Sequence, residues 1–208
     1  MHYIIFDLEL NSKPFKNKLP NEIIEIGAIK LDVSLNEIGK FQSFIKPKYF
    51  KKLFSLVKRK TQISQEDINK AEFFKYVIKD FIDWIGTDSI LISWGHDDIY
   101  NLCLNCKYNR VTTGWLKKNI DLQKQFSTIF QLPPGQRYSL ENALKLTEIE
   151  IDDSFHRALA DAQYTAQIFI KIFDKVNVEL FEPIKLKQNK QLKSNSKIVL
   201  SPNKANDV

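Results

Sequence analysis

The chain opens on an apolar run, Tyr3-Ile4-Ile5-Phe6-Asp7-Leu8-Glu9-Leu10, with two carboxylates set into it two residues apart. In a β-strand successive side chains alternate faces, so Ile5, Asp7 and Glu9 share one face and Phe6, Leu8 and Leu10 the other. Two like charges side by side among apolar residues repel each other and lose hydration unless something positive stands between them. A divalent cation is the economical answer; an edge strand whose acidic face is open to water is the alternative. The first answer needs a core to bury the strand. With 208 residues, 43% of them hydrophobic, and 15 Phe, 7 Tyr and 3 Trp, the chain has the apolar mass for one globular domain, which excludes a disordered or collagen-like chain.

The rest of the pattern predicts an α/β domain. After the strand at 3–10, the runs 22–33 and 37–46 read as two more strands joined by a turn at Ser34-Leu35-Asn36, an antiparallel meander. Ser64 and Asp67 start a short helix, and apolar residues at Phe74, Val77, Ile78, Phe81, Ile82 and Ile85 recur at helical spacing over 73–85. A buried strand at 89–94, a helix at 98–108, a brief strand at 119–122 and a helix at 122–130 follow. Pro133-Pro134-Gly135 breaks the chain, Ser139 caps a helix to Leu146, and a terminal helix runs from about Arg157 to Val176.

On that terminal helix Ala158, Asp161, Ala162, Thr165, Ala166, Phe169, Ile170 and Phe173 form one inward stripe, so Asp161 is a second acid on a core-facing surface. His156 precedes it by five residues, about 140° away around a helix axis. The two converge only if His156 lies on the loop before the helix, and Asp152-Asp153-Ser154 is a suitable loop. A third acidic place, Trp94-Gly-His-Asp97-Asp98, follows the strand at 89–94, where α/β sheets gather their sites; for Asp97 capping and the helix dipole are the readier explanation. Cys103 and Cys106 lack a second ligand pair for zinc and read as two buried core residues one helical turn apart.

Charge is uneven. The net charge is +6, of which 183–208, with six Lys and one Asp, carries +5, a basic tail expected to be flexible beside a domain spanning 1–182. A second block, Lys46 to Lys60, holds seven cations and no acid, interleaved with Tyr49, Phe50 and Phe54, a combination that suits phosphate neutralisation and base stacking as well as a solvated helix face. No apolar stretch approaches the ~20 residues of a membrane span, and the N-terminus lacks a basic leader, so a cytoplasmic protein is expected.

Taken together, Phe-Asp7-Leu-Glu9, Trp94-Gly-His-Asp-Asp98 and His156-Arg-Ala-Leu-Ala-Asp161-Ala resemble the motifs of the DEDD superfamily of 3′→5′ exonucleases in its histidine-containing branch, over about residues 3–173. Glu22-Ile-Ile-Glu25-Ile-Gly27-Ala, Thr61-Gln-Ile-Ser-Gln-Glu-Asp, Asp121-Leu122 and Ser139-Leu140-Glu-Asn-Ala143 are similar too. The Trp-Gly-x-x-Asp form is most similar to bacterial KapD-type proteins and the exonucleases that trim histone mRNA and small interfering RNA. The resemblance implies an RNase H-like fold, a five-stranded mixed sheet with its first three strands antiparallel and helices on both faces. It implies that Asp7, Glu9, Asp98 and Asp161 hold two Mg²⁺ or Mn²⁺ ions and that His156 is the general base, also touching substrate. Leu8, Leu10 and Asn11 match positions flanking the terminal nucleotide.

Hard oxygen ligands suit such ions, and two of them ~3.5–4 Å apart stabilise the attacking and leaving oxygens of a phosphoryl displacement. The implied reaction releases nucleoside 5′-monophosphates from a single strand with a free 3′ end, RNA favoured over DNA. The competing readings are a catalytically silent nucleic-acid-binding module of the same fold and a hydrolase of short oligonucleotides or free nucleotides; intact acids argue against the first and the basic block against the second.

Overall fold

The computed structural model describes residues 1–151 and 156–186. Three ten-residue strands, β1 (His2–Asn11), β2 (Glu22–Leu31) and β3 (Glu37–Lys46), form the expected antiparallel meander. Helices α1 (Ser55–Thr61) and α2 (Gln65–Lys70), a two-residue strand β4 (Glu72–Phe73) and α3 (Phe74–Ile85) follow. Then come β5 (Ser89–Ser93), α4 (His96–Tyr108), β6 (Asn119–Asp121), α5 (Leu122–Ile129), α6 (Leu140–Leu146) and α7 (Ala158–Lys171). The sheet order is β4-β3-β2-β1-β5-β6, with β5 and β6 parallel to β1.

The sheet thus has six strands where five were expected. The sixth, β4, pairs only Glu72 and Phe73 with Ile45 and Lys46, too short a stretch for alternation to register. Helix α1 was hidden for a different reason: only Val57 and Thr61 of its seven residues are buried, and its lysines mask the apolar period. The terminal helix is not continuous to Val176. It ends at Lys171 and tightens into a 3₁₀ turn at Phe173–Lys175, while the apolar spacing runs on through Ile172 and Phe173. Ile170, expected to face inward, is exposed.

The alternation of β1 sorts the core. Ile4, Phe6 and Leu8 pack with α3 and with Leu102, Cys103 and Cys106 of α4, the two thiols buried and unbridged as expected. Tyr3 and Ile5 pack on the other face with α5, α6 and the small-residue stripe of α7. Asp7 and Glu9 continue that second face. A β-bulge between Glu9 and Leu10 leaves Ile24 as the extra residue of β2, and Ile24 joins Leu53, Val57, Ile63 and Ile68 in a third cluster under α1 and α2. Ile184 and Leu186 pack against the first cluster, so packing extends past 182; residues 187–208, most of the basic tail, lie outside the described residues. Among the described residues no helix is long and apolar enough to cross a membrane.

Candidate active site

At the C-terminal end of β1 three carboxylates from two distant parts of the chain meet: oxygens of Asp7, Glu9 and Asp161 lie within 4.8 Å of one another. The approach is possible because α7 sits directly on β2. Gly27, the cross-strand partner of Asp7, has no side chain, and a Cβ there would overlap the backbone of Ala158 and Leu159. Ala158 and Ala162 are fully buried at this contact, so the small-residue stripe sets how closely Asp161 nears the strand.

Asp98 stands on the first turn of α4, outside that tight group of three, with its carboxylate accepting the Leu8 backbone N–H. Its charge raises Asp7, so the four acids form one electrostatic unit. Asp97 is exposed, and α4 has no side-chain cap. His156 lies before α7, as the angular argument requires, with φ +69°, a left-handed conformation that costs a non-glycine residue about 1–2 kcal/mol. Its backbone N–H donates to Asp161. Asp152, Asp153 and Ser154 lie outside the described residues.

Burial, more than mutual repulsion, sets the protonation of these acids. It pushes Glu9 up to about 8 and Asp161 to about 6. Asp7 and Asp98 rise well above the ordinary carboxylate range, burial first and neighbouring acids second. His156 is exposed as a residue, yet desolvation of its ring and then the charge of Lys60 lower its pKa. A divalent cation fits this donor set. Hard oxygens converge, and Asp161 Oδ1 is buried without a hydrogen-bond partner, an acceptor that a cation would satisfy.

Two features escaped sequence reasoning. Lys60, on the last turn of α1, faces the acids and lines a cleft of about 310 Å³ with Leu8, Glu9, Leu10, Ser12 and Leu56. Glu25, fully buried opposite Glu9, is the anchor of α7. Its Oε1 accepts from Arg157 Nη2 (2.9 Å) and Gln42 Nε2 (2.7 Å), its Oε2 from Arg157 Nε (3.2 Å) and the Ala158 N–H (3.3 Å). The Arg157 guanidinium also lies 5.4 Å from the centre of the Phe44 ring. Arg157→Ala is expected to cost roughly 3 kcal/mol, the low end for stranding a buried charge because Arg157 itself is 36% exposed. Thermal melting checks this: a loss below about 1 kcal/mol means that water replaces the guanidinium.

Asn11 is a correction. Matched by resemblance to a substrate-flanking position, it is fully buried, and its amide is spent on the segment after β3: it donates to the Phe50 and Lys52 carbonyls and accepts the Phe54 N–H. Its work is to hold that segment. Leu8 belongs to the core, while Leu10 is partly exposed at the cleft.

The architecture and the acidic centre define an exonuclease domain, and the model of the exonuclease (RNase_T) family matches residues 4–169. The chain belongs to that family. It is 29% identical over 178 residues to the probable 3′-5′ exonuclease KapD of Bacillus subtilis, covering 80% of this chain and 82% of that protein. It is 26% identical over 162 residues to human 3′-5′ exoribonuclease 1, covering 73% of this chain and 46% of that protein; it therefore spans less than half the length of that relative. The nuclease domain of 3′hExo, a DEDDh family member solved with rAMP, superposes with a TM-score of 0.78 at 23% identity, over 88% of this chain and 96% of that one. That likeness shows the RNase H-like α/β fold.

Proposed function

We propose that the protein is a 3′→5′ exonuclease that depends on Mg²⁺ or Mn²⁺ and removes nucleoside 5′-monophosphates from the free 3′ end of single-stranded nucleic acid, with RNA preferred to DNA. The observation that carries this reading is the meeting of Asp7, Glu9 and Asp161 around a buried carboxylate oxygen with no donor. Asp7, Glu9, Asp98 and Asp161 are the residues that would hold two ions. Bound there, divalent ions supply charge neutralisation for the attacking and leaving oxygens of a phosphodiester.

The remaining work falls to side chains. His156, neutral at pH 7 because its pKa is lowered, takes a proton from the attacking water and, being exposed, returns it to solvent. Leu10 and Leu56 give the cleft an apolar wall for the terminal base and sugar. Lys60 places a positive charge beside the phosphate. Two buried free thiols suit a reducing, cytoplasmic setting. The lean toward RNA is supported by the exoribonuclease relatives and opposed by DNA polymerase III PolC-type relatives, 28% identical for the Bacillus subtilis protein.

The test is incubation with 5′-labelled single strands of RNA and DNA of one sequence, with Mg²⁺, Mn²⁺ or EDTA, beside His156→Ala. A ladder shortening from the 3′ end, silent in EDTA and at least 100-fold slower in His156→Ala, is expected. Binding of both polymers without shortening would point instead to a silent binding module, and indifference to both polymers to a hydrolase of small nucleotides.

A further inference from the structure

Beside the cleft lies an aromatic cluster that the chemistry above does not use, with Phe15 exposed, Phe50 half-buried and Phe54 half-buried against the third core cluster. Phe15, on the β1–β2 loop and 48% exposed, meets Phe50 and Phe54 edge-on at ring-centre distances of 5.8 and 5.9 Å; Phe50 and Phe54 are 5.7 Å apart. The segment that carries Phe50 and Phe54 has no regular backbone ladder between β3 and α1. It is held instead by two buried polar side chains. Glu22, at the start of β2, accepts the N–H groups of Lys48 (2.5 Å), Tyr49 (3.0 Å) and Phe50 (2.8 Å), and Asn11, at the end of β1, holds Phe50, Lys52 and Phe54 from the other side.

Burying a carboxylate is costly unless hydrogen bonds offset the lost hydration; here three backbone N–H groups do so, and the same bonds hold the loop in one position. Asn11, the second anchor, is two residues from Glu9 on β1, so the cluster has a fixed position relative to the acids. Phe54 precedes α1, whose Leu56, Val57 and Lys60 line the cleft, and Leu56 is 65% exposed. Cluster and cleft thus adjoin along the chain, Phe54 standing two residues before Leu56. The rim is cationic, with Lys16, Lys51 and Lys52 all exposed and no acid between residues 46 and 60. An aromatic surface with a positive rim, opening from a site that takes a 3′ end, matches a polyanion with unstacked π faces.

Resting on the reading of the site as one that draws in a strand by its 3′ end, we infer that Phe15, Phe50 and Phe54 form a stacking platform for the bases upstream of the scissile linkage. A duplex keeps its bases stacked on each other and offers the platform nothing, so this surface is the source of single-strand preference.

The experiment measures the affinity of the full chain, with Mn²⁺, for 5′-labelled strands of two and eight nucleotides whose 3′-terminal linkage is a methylphosphonate that resists cleavage. Fluorescence anisotropy reads the ratio of the two affinities. The Phe15→Ala, Phe50→Ala double variant is expected to lower the wild-type ratio about tenfold, the worth of one stacked base. Phe15→Trp keeps the ratio and Phe15→Leu does not, while the salt dependence of the eight-nucleotide strand is unchanged because no charge is removed. A ratio unmoved in the double variant overturns the platform, and so does Leu serving as well as Trp, which would mark an apolar surface for a protein partner. Strand shortening by the wild type is scored separately on ordinary linkages. If the ratio falls but nothing shortens, the activity fails and the platform stands; if strands shorten with the ratio unmoved, the reverse holds.

Discussion

Asp7→Asn is expected to lower metal-dependent strand shortening by on the order of 10³-fold while raising the melting temperature of the metal-free protein at pH 8. The two effects have one cause. Without a cation the acidic centre is a destabilising element, because burial and mutual repulsion raise the carboxyl pKa values, to about 8 for Glu9 and about 6 for Asp161. The folded state then holds protons more tightly than the unfolded chain, so between about pH 4 and 8 stability falls as pH rises. The contribution is fully present below the unfolded values and lost as each group ionises.

Removing one negative charge relieves this by on the order of 1 kcal/mol, about 2–4 °C for a chain of this length. Mg²⁺ or Mn²⁺ should raise the wild-type melting temperature at pH 8 and release protons, and do little for the variant. Melting curves at pH 5.5 and 8, with EDTA and with metal, are the measurement. A variant that melts lower than wild type in EDTA at pH 8 would show that Asp7 has partners in the metal-free state and that its charge is already compensated.

Gly27→Ala is the second large effect, and it acts without touching an acid. A methyl group at Gly27 overlaps the backbone of Ala158 and Leu159, and neither helix nor strand can give way by a side-chain rotation. Overpacking of this kind costs about 3 kcal/mol or more, some 6–12 °C, and the relief available is for α7 to lift from β2. Lifting α7 carries His156 and Asp161 away from Asp7 and Glu9, so activity and metal-induced stabilisation should fall together. Gly39→Ala is the control: its added carbon meets the Trp84 indole at 3.5 Å, an ordinary contact, and should melt near wild type. Equal losses in the two variants would locate the damage in β propensity rather than in the α7 contact.

What could be read from the chain beforehand was whatever obeys a period. Strand alternation put Asp7 and Glu9 on one face, and the phase of a helix required His156 to precede α7; both are properties of a few consecutive residues. The contact that ties the start of α7 to β2, Glu25 with Arg157, spans 132 positions and carries no periodic signal, although each residue sat within a recognisable motif. Asn11 shows the opposite error. Its match to a substrate-flanking position came from the resemblance alone, and only the path of residues 50–54 reveals that its amide is already spent. The extra residue of the bulge at Ile24, the two-residue β4 and the lysine-covered α1 were invisible because each departs from the regularity on which such reading depends.

The distance in sequence between the halves of the site has a consequence for synthesis. Synthesis from the N-terminal side presents Asp7 and Glu9 on β1 well before Asp161, His156 and the clamp on Glu25, the last of these 132 positions after its partner. Until then Glu25 lacks the Arg157 guanidinium, the face of Gly27 is uncovered, and the three-carboxylate centre does not exist. The acidic centre is thereby withheld from every copy whose synthesis has not yet passed α7, the helix that completes it.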